Sequence, residues 1–197
     1  MAEYSYKMFN SDLTCTMGRG KFQYEPGVWY EEEEANCARN GFHSAKNPLD
    51  CLDYYGSFEG NQCWICEIAG DIDEDERDSK VSSTRIRLAR RLNKAEYVAE
   101  AVKYILKNPR MPLNARVMRS KAEAGGDGWA IACGPEAMAM GRKIGDVIGV
   151  IKTDADGRAM KAGVFEIDGV DYRPDRFYDA SGAALVMEEP FNHYRRA

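Results

Sequence analysis

Ser83-Thr-Arg-Ile-Arg-Leu-Ala-Arg-Arg-Leu92 runs straight into Asn93-Lys-Ala-Glu-Tyr-Val-Ala-Glu-Ala-Val-Lys-Tyr-Ile-Leu-Lys107, and the two stretches carry different hydrophobic periods. In the first, Arg85 and Arg87 alternate with Ile86 and Leu88, the period of two that predicts a strand with one basic face. In the second, Ala95, Val98, Ala99, Val102, Ile105 and Leu106 recur every three to four residues, which predicts an amphipathic helix. Asn93 is its expected cap, and Asn108-Pro109 ends it because proline disfavours the helical region for the residue before it. Working outward from this pair, the expected fold is α+β and β-rich. An α+β N-terminal domain over 1–110 is closed by the long amphipathic helix. A linker over 111–128 leads to a small β-rich C-terminal domain over 129–197, built as a β-roll or as hairpins.

Upstream, Tyr6-Lys-Met-Phe9, Lys21-Phe-Gln-Tyr24 and Val28-Trp-Tyr30 read as short strands, the last entered from the turn-forming Pro26-Gly27. Pro48 near the start of Leu49, Leu52 and Tyr55 marks a short helix, and Cys63 to Ala69 a buried strand. Gly70 to Ser79 is expected to be an acidic loop. Downstream, Ala130-Ile-Ala132-Cys-Gly134 and Ala137-Met-Ala139-Met-Gly141 place small residues at alternate positions closed by glycine, the requirement of a tightly wound roll. Val147–Lys152, Val164–Asp168 and Ala184–Met187 read as antiparallel strands with Asp156-Gly157, Asp168-Gly169 and Ser181-Gly182 at the turns.

The 197 residues carry a net charge of −5 that conceals an acidic–basic–acidic layout: −10 over residues 1–80, +8 over 81–125 and −3 over 126–197. The basic middle either neutralises the acidic first part or offers a face to phosphates or an acidic partner. No apolar run reaches the roughly 20 residues of a membrane helix, and the start at Met1 lacks the features of a signal peptide, so the expected location is cytoplasmic. The six cysteines are then expected as reduced thiols. Cys63 and Cys66 have metal-binding spacing but lack a second pair, so no metal is expected.

Tyr6-Lys-Met-Phe-Asn10, Phe22-Gln-Tyr24, Gly41-Phe-His-Ser44, Asn47-Pro-Leu-Asp50 and Tyr54-Tyr55 together resemble an uncharacterised domain family frequent in bacteriophage and prophage genomes. The resemblance runs through the basic strand, about the first half of the chain. The alanine–glycine repeats, Ile167-Asp-Gly169 and Phe177-Tyr178 are similar to a β tail found in phage proteins. It implies a phage-associated setting and supplies no activity.

His43 is the weak catalytic candidate, paired with Cys51 or Cys37; His193 lies near the C-terminus and is a poor base. Gly41-Phe-His-Ser44 with Tyr54-Tyr55 also looks like the approach to the central strands of ADP-ribosyltransferases, but Ser82-Ser-Thr84 is a faint match and no late glutamate follows. Asp154-Ala-Asp-Gly157 opens like a calcium loop without its closing glutamate, and phosphate-loop and dinucleotide fingerprints are absent. The expectation is a phage-encoded, non-enzymatic accessory protein without cofactor. It binds a protein of the bacterial host or phage, as an inhibitor of anti-phage defence, through Arg85, Arg87, Arg90, Arg91 and Lys94. Nucleic acid is the second partner class, and no membrane contact is expected. The alternatives are a virion component and an ADP-ribosyltransferase-like enzyme or its degenerate relative.

Overall fold

The structure, a computed structural model, describes residues 3–16, 20–37, 39–74 and 78–184. Strand β1 (Glu3–Asn10) alternates, with Ser5, Lys7 and Phe9 on one face and Tyr6 and Met8 on the other. It is followed by a small ribbon of β2 (Thr14–Cys15) and β3 (Phe22–Gln23), then by β4 (Trp29–Glu31) and β5 (Phe42–Ala45). A 3-10 turn at Pro48–Cys51, capped by the Asn47 side chain, continues into the one-turn helix α1 (Leu52–Tyr55). The long strands β6 (Asn61–Glu74) and β7 (Lys80–Leu92) form an antiparallel hairpin.

Strand β1 pairs with β6 along its whole length and with β5 at Tyr6, while β5 pairs with the start of β7. The order β5-β1-β6-β7 therefore returns to β5 and closes a small antiparallel ring, with β4 pairing β7 beyond β5, at Arg85 to Arg87. Closure removes open strand edges. Register shifts at Ile65/Cys66 and Ala69/Ile72 supply the bend, and Gly70 sits in the second with φ 77°. The run expected as an acidic loop from Gly70 is instead strand up to Glu74; 75–77 lie outside the described residues.

The second half winds. Strands β8 (Val117–Met118), β10 (Trp129–Gly134) and β12 (Val147–Thr153) stack in parallel, and β13 (Ala159–Glu166) folds back antiparallel on β12. Strands β9 (Lys121–Glu123) and β11 (Met138–Met140) pair in parallel in a second sheet, joined by antiparallel β14 (Phe177–Tyr178). The chain passes alternately between the two sheets, as in a roll. Ala122, Ala130, Ala132, Ala137 and Ala139 fill the space between them with Ile148 and Val150, where larger side chains would hold the sheets apart. The stretch 111–128, expected as a linker, supplies β8 and β9, and Ala122 and Ala124 within it are buried. Of the expected strand Ala184–Met187, only Ala184 lies within the described residues, as a bridge to Tyr178.

The expected α+β domain closed by a long helix is not what forms. The molecule is β-rich, and among the described residues the helical ones are confined to short elements, the longest being α2 (Lys94–Lys107). Asn93 and Glu96 form a reciprocal capping box at its start, as the sequence suggested for the cap. Its buried face is Tyr97, Val98, Ala101 and Val102 rather than a row through Ala99 and Leu106, which are exposed. That face meets the sheet of the second half: Val98 and Val102 lie against Gly149 of β12. One continuous core joins Met8, Leu49, Leu52, Cys63 and Leu92 of the first half through α2 to Trp129, Ile131, Val147 and Ile151. Tyr97 packs edge-on against Trp129 at 5.9 Å, and its hydroxyl donates to the Pro48 carbonyl at 3.1 Å. A helix shared by two sheets cannot serve as the lid of one.

Candidate functional site

Gly41, with φ 84°, turns the chain into β5; a Cβ there would lie 3.1 Å from the Ala35 Cα, so the turn requires glycine. Beyond it, β5 lies beside β1, and Phe22 of β3, Tyr24 just after it and Tyr54 of α1 stand around them. The result is a cleft of about 1100 Å³, at the top of the roughly 300–1,000 Å³ range of ligand sites. Its lining combines basic groups (Lys7, Arg39, His43, Lys80) with rings (Phe22, Tyr24, Phe42, Tyr54, Tyr55) and the carboxylate of Glu32.

Lys7 is the unusual member. It shares a strand face with Phe9 and is only 8% exposed. Its ammonium donates to the His43 carbonyl and lies 5.7 and 5.8 Å from the ring centroids of Phe9 and Tyr24. Among the described residues no carboxylate pairs with it. Ring faces attract a cation, but less than a counter-ion does in a dry site. Lys80 donates to Tyr54 Oη at 3.0 Å, lies over that ring, and has Asp78 at 4.0 Å. The His43 imidazole is held below its ordinary value of 6.5, first by burial and then by repulsion from Lys7 and Lys80, against a hydrogen bond with the Gly41 backbone. Three basic groups thus share one neighbourhood inside a segment whose net charge is −10. The buried Ser44 Oγ in the cleft wall has no hydrogen-bond partner among the described residues.

Cys51 is poorly suited as a nucleophile. Burial pushes Cys51 up to about 12, away from the thiolate that a cysteine–histidine pair needs, and its Sγ faces the Tyr6 carbonyl at 3.4 Å. Cys37 Sγ donates to the Lys80 carbonyl at 3.7 Å. Cys63 and Cys66 fall in different core clusters on opposite faces of β6 and so cannot converge on one ion. Among the described residues no three His, Cys, Asp or Glu side chains gather as a metal would require. Ser82 and Ser83 are buried and spend their hydroxyls on the carbonyls of Asn40 and Arg85, while Thr84 accepts from the Asp71 amide at 2.9 Å. His193 lies outside the described residues.

The basic strand is largely neutralised. Arg85 pairs with Glu31 at 3.0 Å, Arg87 with Glu67, Arg90 with Glu96, and Lys94 with Glu59 at 3.6 Å. Arg85 and Arg87 both lie over Trp29, 4.9 and 5.0 Å from its ring. Arg91 is exposed and makes no ion pair among the described residues. Of the sequence candidates, the fold brings His43 and Cys51 into the cleft. Lys7, Phe22, Tyr24 and Lys80 were missed, although Lys7 left a trace: a cation in phase with Phe9 on the apolar face of a strand.

Residues 4–100 match the model of a family described only as a domain of unknown function, DUF7666. The matched stretch contains every residue that lines the cleft. No curated protein and no solved structure matches the chain. Among the described residues no helix is long and apolar enough to cross a membrane.

Proposed function

We propose that this is a non-enzymatic binding protein and that it captures its target in the cleft around Lys7 rather than on the arginine strand. The observation that carries the reading is the buried Lys7 ammonium, which lines a large cleft and pairs with no carboxylate among the described residues. Burying a cation without a counter-ion costs several kcal/mol. A fold keeps such a group where a ligand completes it. The arginines of β7, by contrast, are matched by Glu31, Glu67 and Glu96. Capture without chemistry also suits Cys51, whose thiol burial holds protonated. The phage setting, the cytoplasm of a bacterial host, and a target belonging to the host or phage, with inhibition of anti-phage defence as the outcome, attach to this reading through the sequence resemblance.

The test is affinity capture from bacterial lysate with three baits, read by mass spectrometry of both proteins and small molecules. They are the wild type, a Phe22→Ala/Lys80→Met cleft variant, and an Arg90→Ala/Arg91→Ala strand variant. Loss of a retained target in the cleft variant alone is the expected result. A target kept by the cleft variant and lost by the strand variant would return function to the arginines.

A further inference from the structure

Resting on the cleft as the binding surface, we infer that its ligand is a mononucleotide-class molecule: a planar ring held between Phe22 and Tyr54, with a phosphate seated on Lys7 and Lys80. Two kinds of surface meet here, and each asks for one part of such a molecule. Phe22 and Tyr54 are each 42% exposed, far more than large rings are when they serve only a core, and both line the cleft. Phe22 is braced from behind by Tyr24 at 4.7 Å and Tyr30 at 5.5 Å. With Phe42 at 6.3 Å as a third neighbour, the part of the ring left exposed is held in place. Exposed rings of this kind stack sequence-tolerantly on nucleobases.

The anion-binding part lies deeper. Lys7 is buried, its Nζ already oriented by the His43 carbonyl, which leaves two of the three ammonium protons for a ligand. Lys80 is oriented by Tyr54 Oη at 3.0 Å, so the ring that would flank a base also aims the lysine that would meet its phosphate. Ser44 Oγ, buried in the same wall and without a partner among the described residues, is a donor for a phosphate oxygen. Arg39 at the rim adds positive charge. Asp78, 4.0 Å from Lys80, and Glu32 in the lining oppose an anion. Against them stand Lys7, Lys80 and Arg39. A carboxylate ligand would satisfy Lys7 but leave the two exposed rings idle, and an apolar ligand would leave Lys7 without a counter-ion. A nucleotide uses both, and it fits within about 1100 Å³.

Equilibrium dialysis of the full chain against AMP, GMP, CMP and UMP, their nucleosides, inorganic phosphate and an eight-residue oligoadenylate tests this. At least one mononucleotide is expected to bind about tenfold or more tighter than both its nucleoside and inorganic phosphate, since each half of the molecule has its own contacts. Lys80→Met should weaken that nucleotide about tenfold. Phe22→Ala should weaken it by about fivefold or more while leaving inorganic phosphate unchanged. Both positions are off the core, and the melting temperature of each variant checks its folding. The assignment is overturned if none of the four mononucleotides binds, if a nucleoside binds as tightly as its nucleotide, or if only the oligonucleotide binds. It is also overturned if neither variant changes affinity. Should mononucleotides fail while lysate capture still depends on Phe22 and Lys80, only the ligand class falls; if capture ignores both residues, the cleft falls with it.

Discussion

The ammonium of Lys7 donates to the backbone carbonyl of His43, a bond that ties the buried face of β1 to the strand beside it. A lysine in that position is expensive to bury, and a methionine of similar length would fill the space without a charge to desolvate. Lys7→Met is therefore expected to leave stability unchanged or raise it by up to about 2 kcal/mol, while removing ligand binding. Urea unfolding alongside dialysis measures both. A loss of more than about 2 kcal/mol would make Lys7 a structural cation and remove the main support for the cleft.

The same neighbourhood gives a pH dependence. His43 titrates below 6.5 in the folded protein because burial, Lys7 and Lys80 all disfavour its charge. The unfolded chain therefore binds more protons than the folded one between the folded value and about 6.5. Stability from this group is fully present above about 6.5 and is lost as pH falls through the folded value. His43→Gln is expected to flatten that part of the stability–pH profile. Lys80→Met, which removes one of the repelling cations, should move the His43 transition to higher pH by NMR. An imidazole titration unmoved in Lys80→Met would separate Lys80 from His43.

Arg85 and Arg87 clasp Trp29 and reach Glu31 and Glu67, so reversing their charge puts like charges together and strips the indole of its cover. Arg85→Glu/Arg87→Glu is expected to cost about 1–3 kcal/mol of stability and to leave cleft binding intact. A stable double variant that loses its target would reinstate the strand as a contact surface.

What could be read from the sequence was local. The alternation of Ile86 and Leu88 and the Asn93 cap were legible because they depend only on neighbouring residues. The destination of α2 was not, because an apolar stripe says that a helix is buried without saying against which sheet. The alanines at 130, 132, 137 and 139 announced a tight interior, but the parallel pairing of Ile131 with Gly149 is a non-local fact that no short window holds. The cleft was hidden for the same reason. Lys7 and His43 meet only because β1 pairs with β5 at Tyr6 and Ala45, and the aromatic side chains of β3, β5 and α1 converge only after the ring of strands has closed.

Gly149 decides between a helix that belongs to the first half and one that belongs to both. A Cβ at this position would stand 2.9 Å from Val102 Cγ2, 3.1 Å from Val98 Cγ1 and 3.3 Å from Ile131 Cγ1. The missing side chain is what lets α2 seat on β12, so Gly149→Ala must push the helix outward or strain its valines. Overpacking of this kind costs about 1–3 kcal/mol, against a strand propensity gain of only a few tenths. Val102→Ala alone should also destabilise, by leaving a cavity in the shared core. Combined, the two changes should cost less than their sum by about 0.5 kcal/mol or more, because the smaller side chain makes room for the new methyl group. Chemical denaturation of the three variants gives the coupling. Strict additivity, with Gly149→Ala near neutral, would mean that α2 does not rest on β12, and the single core joining the two halves would have to be abandoned.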